Sequence, residues 1–163
     1  MMRPTAVTVI SVLGIVFSAL GLCCTLLGSA SLAFLMGMGD TLAAQPGASN
    51  KDLQVFQNPI YQRYMLATIA VTFLLSIWLL ISSVMLLRMS PTGLSLMLAW
   101  AAVAILWLAL DTILTFTVLH NVVGSRQLTS QLVGAVIWLI YPLAVFVVLT
   151  RPNIKAAFQQ QRF

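Results

Sequence analysis

Asp111 stands where a charge is costly. Its neighbours are Leu108-Ala109-Leu110 on one side and Thr112-Ile113-Leu114 on the other. An ionised carboxylate in so apolar a helix must face a bundle interior, find hydrogen-bond partners or take up a proton. Thr115 lies one turn further on the same face, and Ala104 and Leu108 extend that face in the other direction. Two chemistries follow. As a functional group, Asp111 would bind a proton or cation, because carboxylates inside membranes often mark ion paths. As a structural group, it would be tied to Ser and Thr hydroxyls of neighbouring helices. The sequence favours the structural role. A transporter of this kind normally also carries a second carboxylate, a buried Lys or Arg, or broken helices in related halves, and none is evident.

The remaining reactive side chains carry less. His120 is the single histidine, beside Asn121, and a lone histidine cannot build a metal site. Nine positions along a helix put it about 13 Å from Asp111. Cys23 and Cys24 are the two cysteines. Adjacent helical residues point about 100° apart, so they are poorly placed to bond each other, and they read as small buried apolar residues. Ser82, Ser83, Thr112, Thr115 and Thr117 read as packing hydroxyls that bond back to their own helices. No serine has a nucleophile context and no glycine run forms a phosphate loop. The expected catalytic, cofactor-binding and metal residues are therefore none, and an enzyme is not expected.

The element that must position these groups begins the chain. Ser11, Gly14, Ser18, Gly21, Thr25 and Gly28 follow at alternating steps of three and four. On a helix they form one stripe. A soluble coiled coil would fill that stripe with Leu and Ile. Here every member is glycine or a small hydroxyl residue, the seam by which membrane helices approach closely. Composition agrees: of 163 residues, 61% are hydrophobic and 7% charged, where a soluble domain carries about a quarter. The expected solvent is lipid. The net charge of +5 comes from scattered residues, without the clustered footprint that nucleic-acid binding needs. The expected partners are the lipid bilayer and, through the seam, a second copy or another membrane protein.

Hydropathy and punctuation divide the chain into four spans, at about 5–38, 59–88, 91–119 and 130–150. Outer loops are expected at 39–58 and 120–129, and a tail at 151–163. The first span is long enough that it must tilt, protrude or break near Gly37-Met38-Gly39. Its apolar run far exceeds the roughly 7–15 residues of a signal-peptide core, so an uncleaved first helix is expected. Within the first outer loop, Ser49 and Asp52 form a possible capping box ahead of Leu53 and Phe56. Asn58-Pro59 is a sharper helix start, and Tyr61, Arg63 and Tyr64 follow as an interfacial anchor set. Ser90-Pro91 repeats the cap-and-proline signal. The connection before it is so short that spans two and three must be antiparallel neighbours. Thr129 or Ser130 is expected to cap span four, which carries Pro142. In the tail, Ile154, Ala157 and Phe158 share the face of a short surface helix.

These readings give one fold class: all-α, a four-helix transmembrane bundle running up-down-up-down. With both termini on one side, that side holds Arg3, Arg88, Arg151, Lys155 and Arg162 against Lys51, Arg63 and Arg126 on the other. The positive-inside rule then puts both termini in the cytoplasm of a cell membrane. The chain also resembles uncharacterised four-span bacterial integral membrane proteins. The likeness lies in Arg3-Pro4-Thr5 leading into Val7-Thr8-Val9-Ile10, in Tyr141-Pro142, and in Thr150-Arg151-Pro152-Asn153 before Lys155-Ala156-Ala157-Phe158. It covers both ends of the chain and brings no activity or residue roles. Tetraspanins and claudins fit poorly, because their outer loops carry cysteines. The expected function is that of a non-enzymatic accessory or oligomeric membrane component. The alternative is a small proton- or cation-coupled transporter or channel using Asp111.

Overall fold

A computed structural model of the protein describes residues 5–43, 58–119 and 125–159. The chain forms helices α1 (Thr5–Ala43), α2 (Pro59–Leu87), α3 (Pro91–Leu114), α4 (Ser125–Leu149) and α5 (Pro152–Gln159), and a π-helical turn, Thr115–Leu119, continues α3. Four segments are long and apolar enough to cross a membrane: Thr5–Phe34, Pro59–Leu87, Pro91–Thr117 and Leu132–Leu149. Their outward faces carry large apolar side chains such as Leu27, Leu74, Leu106, Val136 and Ile140, all more than half exposed. Apolar surface on this scale is stable in lipid and not in water. The protein is a multi-pass, all-α membrane bundle.

Each junction has a local cause. The Asn58 side chain accepts a hydrogen bond from the Ile60 N–H at 3.0 Å and so caps α2, with Pro59 in the first turn. At the other end of α2, Met89 takes a left-handed conformation with φ 54°. The Met89 N–H donates to the Leu86 carbonyl at 3.0 Å and the Ser90 N–H to the Met85 carbonyl at 3.2 Å. This is a Schellman cap built on methionine where glycine is usual. Met89 is 6% exposed, so its buried side chain offsets part of the cost of about 1–2 kcal/mol for the left-handed backbone. Ser90 has the extended backbone of a capping residue but makes no side-chain cap bond; its hydroxyl pairs with Thr92 at 2.7 Å. Gly93 then lets α3 approach the end of α2. A Cβ there would lie 2.7 Å from the Leu86 nitrogen and 2.7 Å from the Met85 carbonyl carbon.

The small-residue stripe of α1 faces inward, mainly onto α2. Ser11 and Ser18 are fully buried and Thr25 nearly so. Their hydroxyls bond back to carbonyls of α1 itself: Ser11 to Val7, Ser18 to Ile15 and Thr25 to Gly21, at 2.8–2.9 Å. What the stripe offers a neighbour is therefore its small volume. A Cβ on Gly14 would collide with the Ser83 hydroxyl and lie 2.7 Å from that of Tyr141; one on Gly21 would lie 2.5 Å from the Ser76 hydroxyl. Gly28 differs, since a Cβ there would meet nothing within 4 Å. Gly14 opposite Ser83 and Gly21 opposite Ser76 make α1 and α2 antiparallel. Between α2 and α3, the Ser82 hydroxyl reaches Met97 Sδ at 3.4 Å and Trp100 Nε1 donates to the Leu75 carbonyl at 2.9 Å. α4 packs along α3 and touches α1 over a short stretch only.

Several expectations need correction. α1 stays helical through Gly37-Met38-Gly39 to Ala43, so it does not break there, and the outer loop is shorter than 39–58. At 1.5 Å per residue it is about 58 Å long, well beyond a bilayer core of about 30 Å. α4 starts at Ser125, five residues before 130, so Thr129 and Ser130 lie inside the helix and do not cap it. Arg126, Gln127 and Leu128 are good helix formers, and polarity alone does not make a loop of them. Cys23 and Cys24 are exposed on α1, because a seam through Gly21 and Thr25 turns them to the outer flank. Tyr61, expected as an interfacial anchor, is 3% exposed. The tail helix also behaves differently. Ile154 and Phe158 are 6% and 2% exposed and belong to the buried cluster with Val7, Leu86 and Met89. Their apolar face closes the end of the bundle where α1 begins. His120, Gly124 and the Ser49, Asp52, Leu53 and Phe56 group lie outside the described residues.

Candidate functional site

Asp111 lies one turn before the π turn, about 30 Å along α3 from Pro91 and so near the end of the span far from the α2–α3 turn. It meets α2 there. The Tyr64 hydroxyl donates to Asp111 Oδ1 at 2.6 Å and is 3.0 Å from Thr115 Oγ1. Tyr64 has one hydroxyl proton and gives it to the carboxylate, so Thr115 donates to Tyr64. The result is a relay, Thr115 to Tyr64 to Asp111, in which each bond polarises the next. A bond of this length to a carboxylate is charge-assisted and among the stronger kinds. Thr115 is 3% exposed and opens the π turn. Turns of that kind recur at functional positions in helices.

The spacing of Asp111 and Thr115 placed them on one face, and both reach the same tyrosine. Tyr64 itself escaped the sequence reading, because a tyrosine near a helix start matches the aromatic belt at a membrane surface. A usable signal existed. Tyr64 lies 25 residues before Met89 and Asp111 lies 22 after it, so folding the α2–α3 hairpin at that turn brings them to similar heights.

Asp111 also borders a cavity of about 220 Å³ walled by all four spanning helices. Its lining is mostly apolar and contains no Lys or Arg. Trp107 of α3, Trp138 of α4 and Gly21 of the seam all line it. Trp100 and Tyr141 close it on the side toward the termini, with rings 5.8 Å apart. Both are anchored: Trp100 by its bond to Leu75, and Tyr141 by donating to the Ile10 carbonyl at 3.0 Å. Where α1 meets α4, the Phe17 ring lies 6.1 Å from Trp138 and 4.9 Å from Tyr141. Pro142 is buried and faces the same space. Proline lacks an N–H, so the Trp138 carbonyl loses its usual donor one turn on. Thr68, one turn from Tyr64, lines the cavity with a buried hydroxyl directed toward that of Tyr64.

A second, 20 Å³ cavity borders Asp111 between α3 and α4, beside Thr112, Thr115, Leu132 and Ala135. That is room for about one water with polar neighbours to hold it. Among the described residues, no group of three or more His, Cys, Asp or Glu side chains is placed to hold a metal. The seam and the carboxylate are distinct features. They come together at the cavity, whose lining includes both Gly21 and Asp111.

No protein-family model matches the chain, and neither a curated protein nor a solved structure matches it. The functional reading therefore rests on the Asp111 geometry.

Proposed function

We propose that the protein is a small, non-enzymatic membrane transporter or channel that takes a proton or cation at Asp111. One observation carries this: a carboxylate held by a tyrosine hydroxyl borders a cavity shared by four membrane helices, with no Lys or Arg in the lining. A carboxylate in a low-dielectric site needs a counter-charge or a proton. Tyr64 supplies neither, since its hydrogen bond orients Asp111 without neutralising it. The purely structural role weakens for the same reason, because a tie between helices needs no cavity beside it.

In proteoliposomes, the wild-type protein should carry a proton- or cation-dependent flux and Asp111→Asn should abolish it with the fold retained. Absence of flux in the wild type, or equal flux in the variant, would remove this reading.

The accessory or homo-oligomeric reading keeps one supporting observation. The seam from Ser11 to Thr25 is consumed inside the bundle, but Gly28 has open space before it. A partner helix can dock at that outer end of α1. Under this reading, Gly28→Leu should change the oligomeric state in mild detergent while leaving thermal stability unaltered.

A further inference from the structure

We propose that the four-helix cavity is a binding site for a small organic monocation, an aromatic or alkylated ammonium, with its positive group toward Asp111 and its apolar body against Trp107 and Trp138. The inference rests on the reading of Asp111 as a cation-binding group and names the class of cation. The donor set argues first against an inorganic ion. Calcium takes about six to eight oxygen ligands, and magnesium an octahedral oxygen shell that keeps several waters, so either needs a polar, wet surround. This lining offers the carboxylate and a few hydroxyls, and the Ser76 hydroxyl is already committed to the Thr72 carbonyl at 2.8 Å. A proton would satisfy the carboxylate but would leave about 220 Å³ of apolar, aromatic-walled space unexplained.

An organic ammonium matches both parts. It is weakly hydrated, its charge complements Asp111, and aromatic faces attract it further. The Thr68 hydroxyl, buried on the same lining beside Tyr64, adds a polar contact near the charged end. The volume corresponds to about seven waters at 30 Å³ each, below the 300–1,000 Å³ typical of drug-sized ligands. One ring with a quaternary nitrogen is of the right size. α1 and α4 touch over a short stretch only, around Phe17, Trp138 and Tyr141, and this thinly packed side is the way in for such a molecule.

The test is a titration of the purified full-length protein in lipid nanodiscs with phenyltrimethylammonium, which cannot lose a proton, and with its neutral isostere tert-butylbenzene. Trp100, Trp107 and Trp138 line the cavity and report binding by their fluorescence. The cation should bind saturably and at least tenfold more tightly than the isostere. Asp111→Asn should weaken the cation by at least tenfold and leave the isostere unchanged. Ala104→Leu, which fills the cavity without touching the charge, should weaken the cation as well. Equal affinity for the two probes, no saturation, or full cation affinity in either variant would overturn the proposal. Should Asp111→Asn fail to fold, the two probes on the wild type and Ala104→Leu still decide. Proton or inorganic-cation flux without phenyltrimethylammonium binding would sink this inference and keep the transport reading. Binding without any flux would do the reverse.

Discussion

At the scale of single residues, the decisive contact is between two side chains that are far apart in sequence. Tyr64 donates to Asp111 and accepts from Thr115. Tyr64→Phe keeps the ring and removes both bonds. A hydrogen bond to a charged group contributes about 1.5–3 kcal/mol. Thermal or denaturant unfolding in mild detergent should therefore show a loss of about that size. The same substitution in an Asp111→Asn background should cost clearly less, because the charge-assisted part is already gone. Equal costs in the two backgrounds would mean that Tyr64 stabilises through packing and that the relay is incidental. Half of this site was legible in the sequence. Asp111 and Thr115 share a face by helical spacing alone, and a carboxylate among leucines announces itself. The partner was not legible from periodicity, which describes one helix at a time. Thr68, Trp100 and Tyr141 were missed for the same reason. Their roles depend on which way four helices are rotated against one another, and a composition of Leu, Ile and Val on every face leaves that rotation unmarked.

At the scale of elements, two glycines permit close approach for different reasons, and the difference is measurable. A Cβ on Gly21 would press on the Ser76 hydroxyl at 2.5 Å, while the Ser76 Cβ stays at 3.4 Å. The obstacle is one removable oxygen. Gly21→Ala should destabilise the bundle by about 1–3 kcal/mol, the usual cost of overpacking. Adding Ser76→Ala should recover most of that loss, leaving an ordinary van der Waals contact. At Gly93 the obstacle is the backbone of α2 at Leu86 and Met85. No second substitution removes a main chain, so Gly93→Ala should cost at least as much and resist rescue. Unfolding midpoints of the three variants, set against the wild type, test both statements; a Gly93→Ala protein as stable as the wild type would show that the α2–α3 hairpin shifts freely. The seam was legible because small residues at a three-four spacing have one good use in a membrane. Its direction, inward onto α2 and away from a foreign partner, depends on the rest of the bundle. Helix ends were read less well. α1 continues past three small or flexible residues, and α4 begins among polar ones, since neither feature outweighs a helical backbone's own hydrogen bonds.

At the scale of the whole molecule, four long apolar segments were enough to give the fold class, because in lipid a helix must satisfy all its own backbone groups. The cavity was beyond reach, being a property of all four helices together. What remains is the direction in which the bundle crosses. The α2–α3 turn and the α4–α5 junction lie at one end, and that end carries Arg88 and Arg151, with Arg3, Lys155 and Arg162 close in sequence. Short basic connections are retained on the cytoplasmic side. A single cysteine at this end reads the orientation directly. Thr92 is exposed in the first turn of α3 and tolerates the exchange. The native Cys23 and Cys24 face outward within an apolar span, where a water-borne reagent does not reach them, so their background should be low. In intact cells, a membrane-impermeant maleimide should leave Thr92→Cys unlabelled, and permeabilisation should expose it. Labelling without permeabilisation would put the termini and the α5 cap outside. The Tyr64–Asp111 relay, at the opposite end of the bundle, would then open toward the cytoplasm, reversing the direction from which a cation first meets the carboxylate.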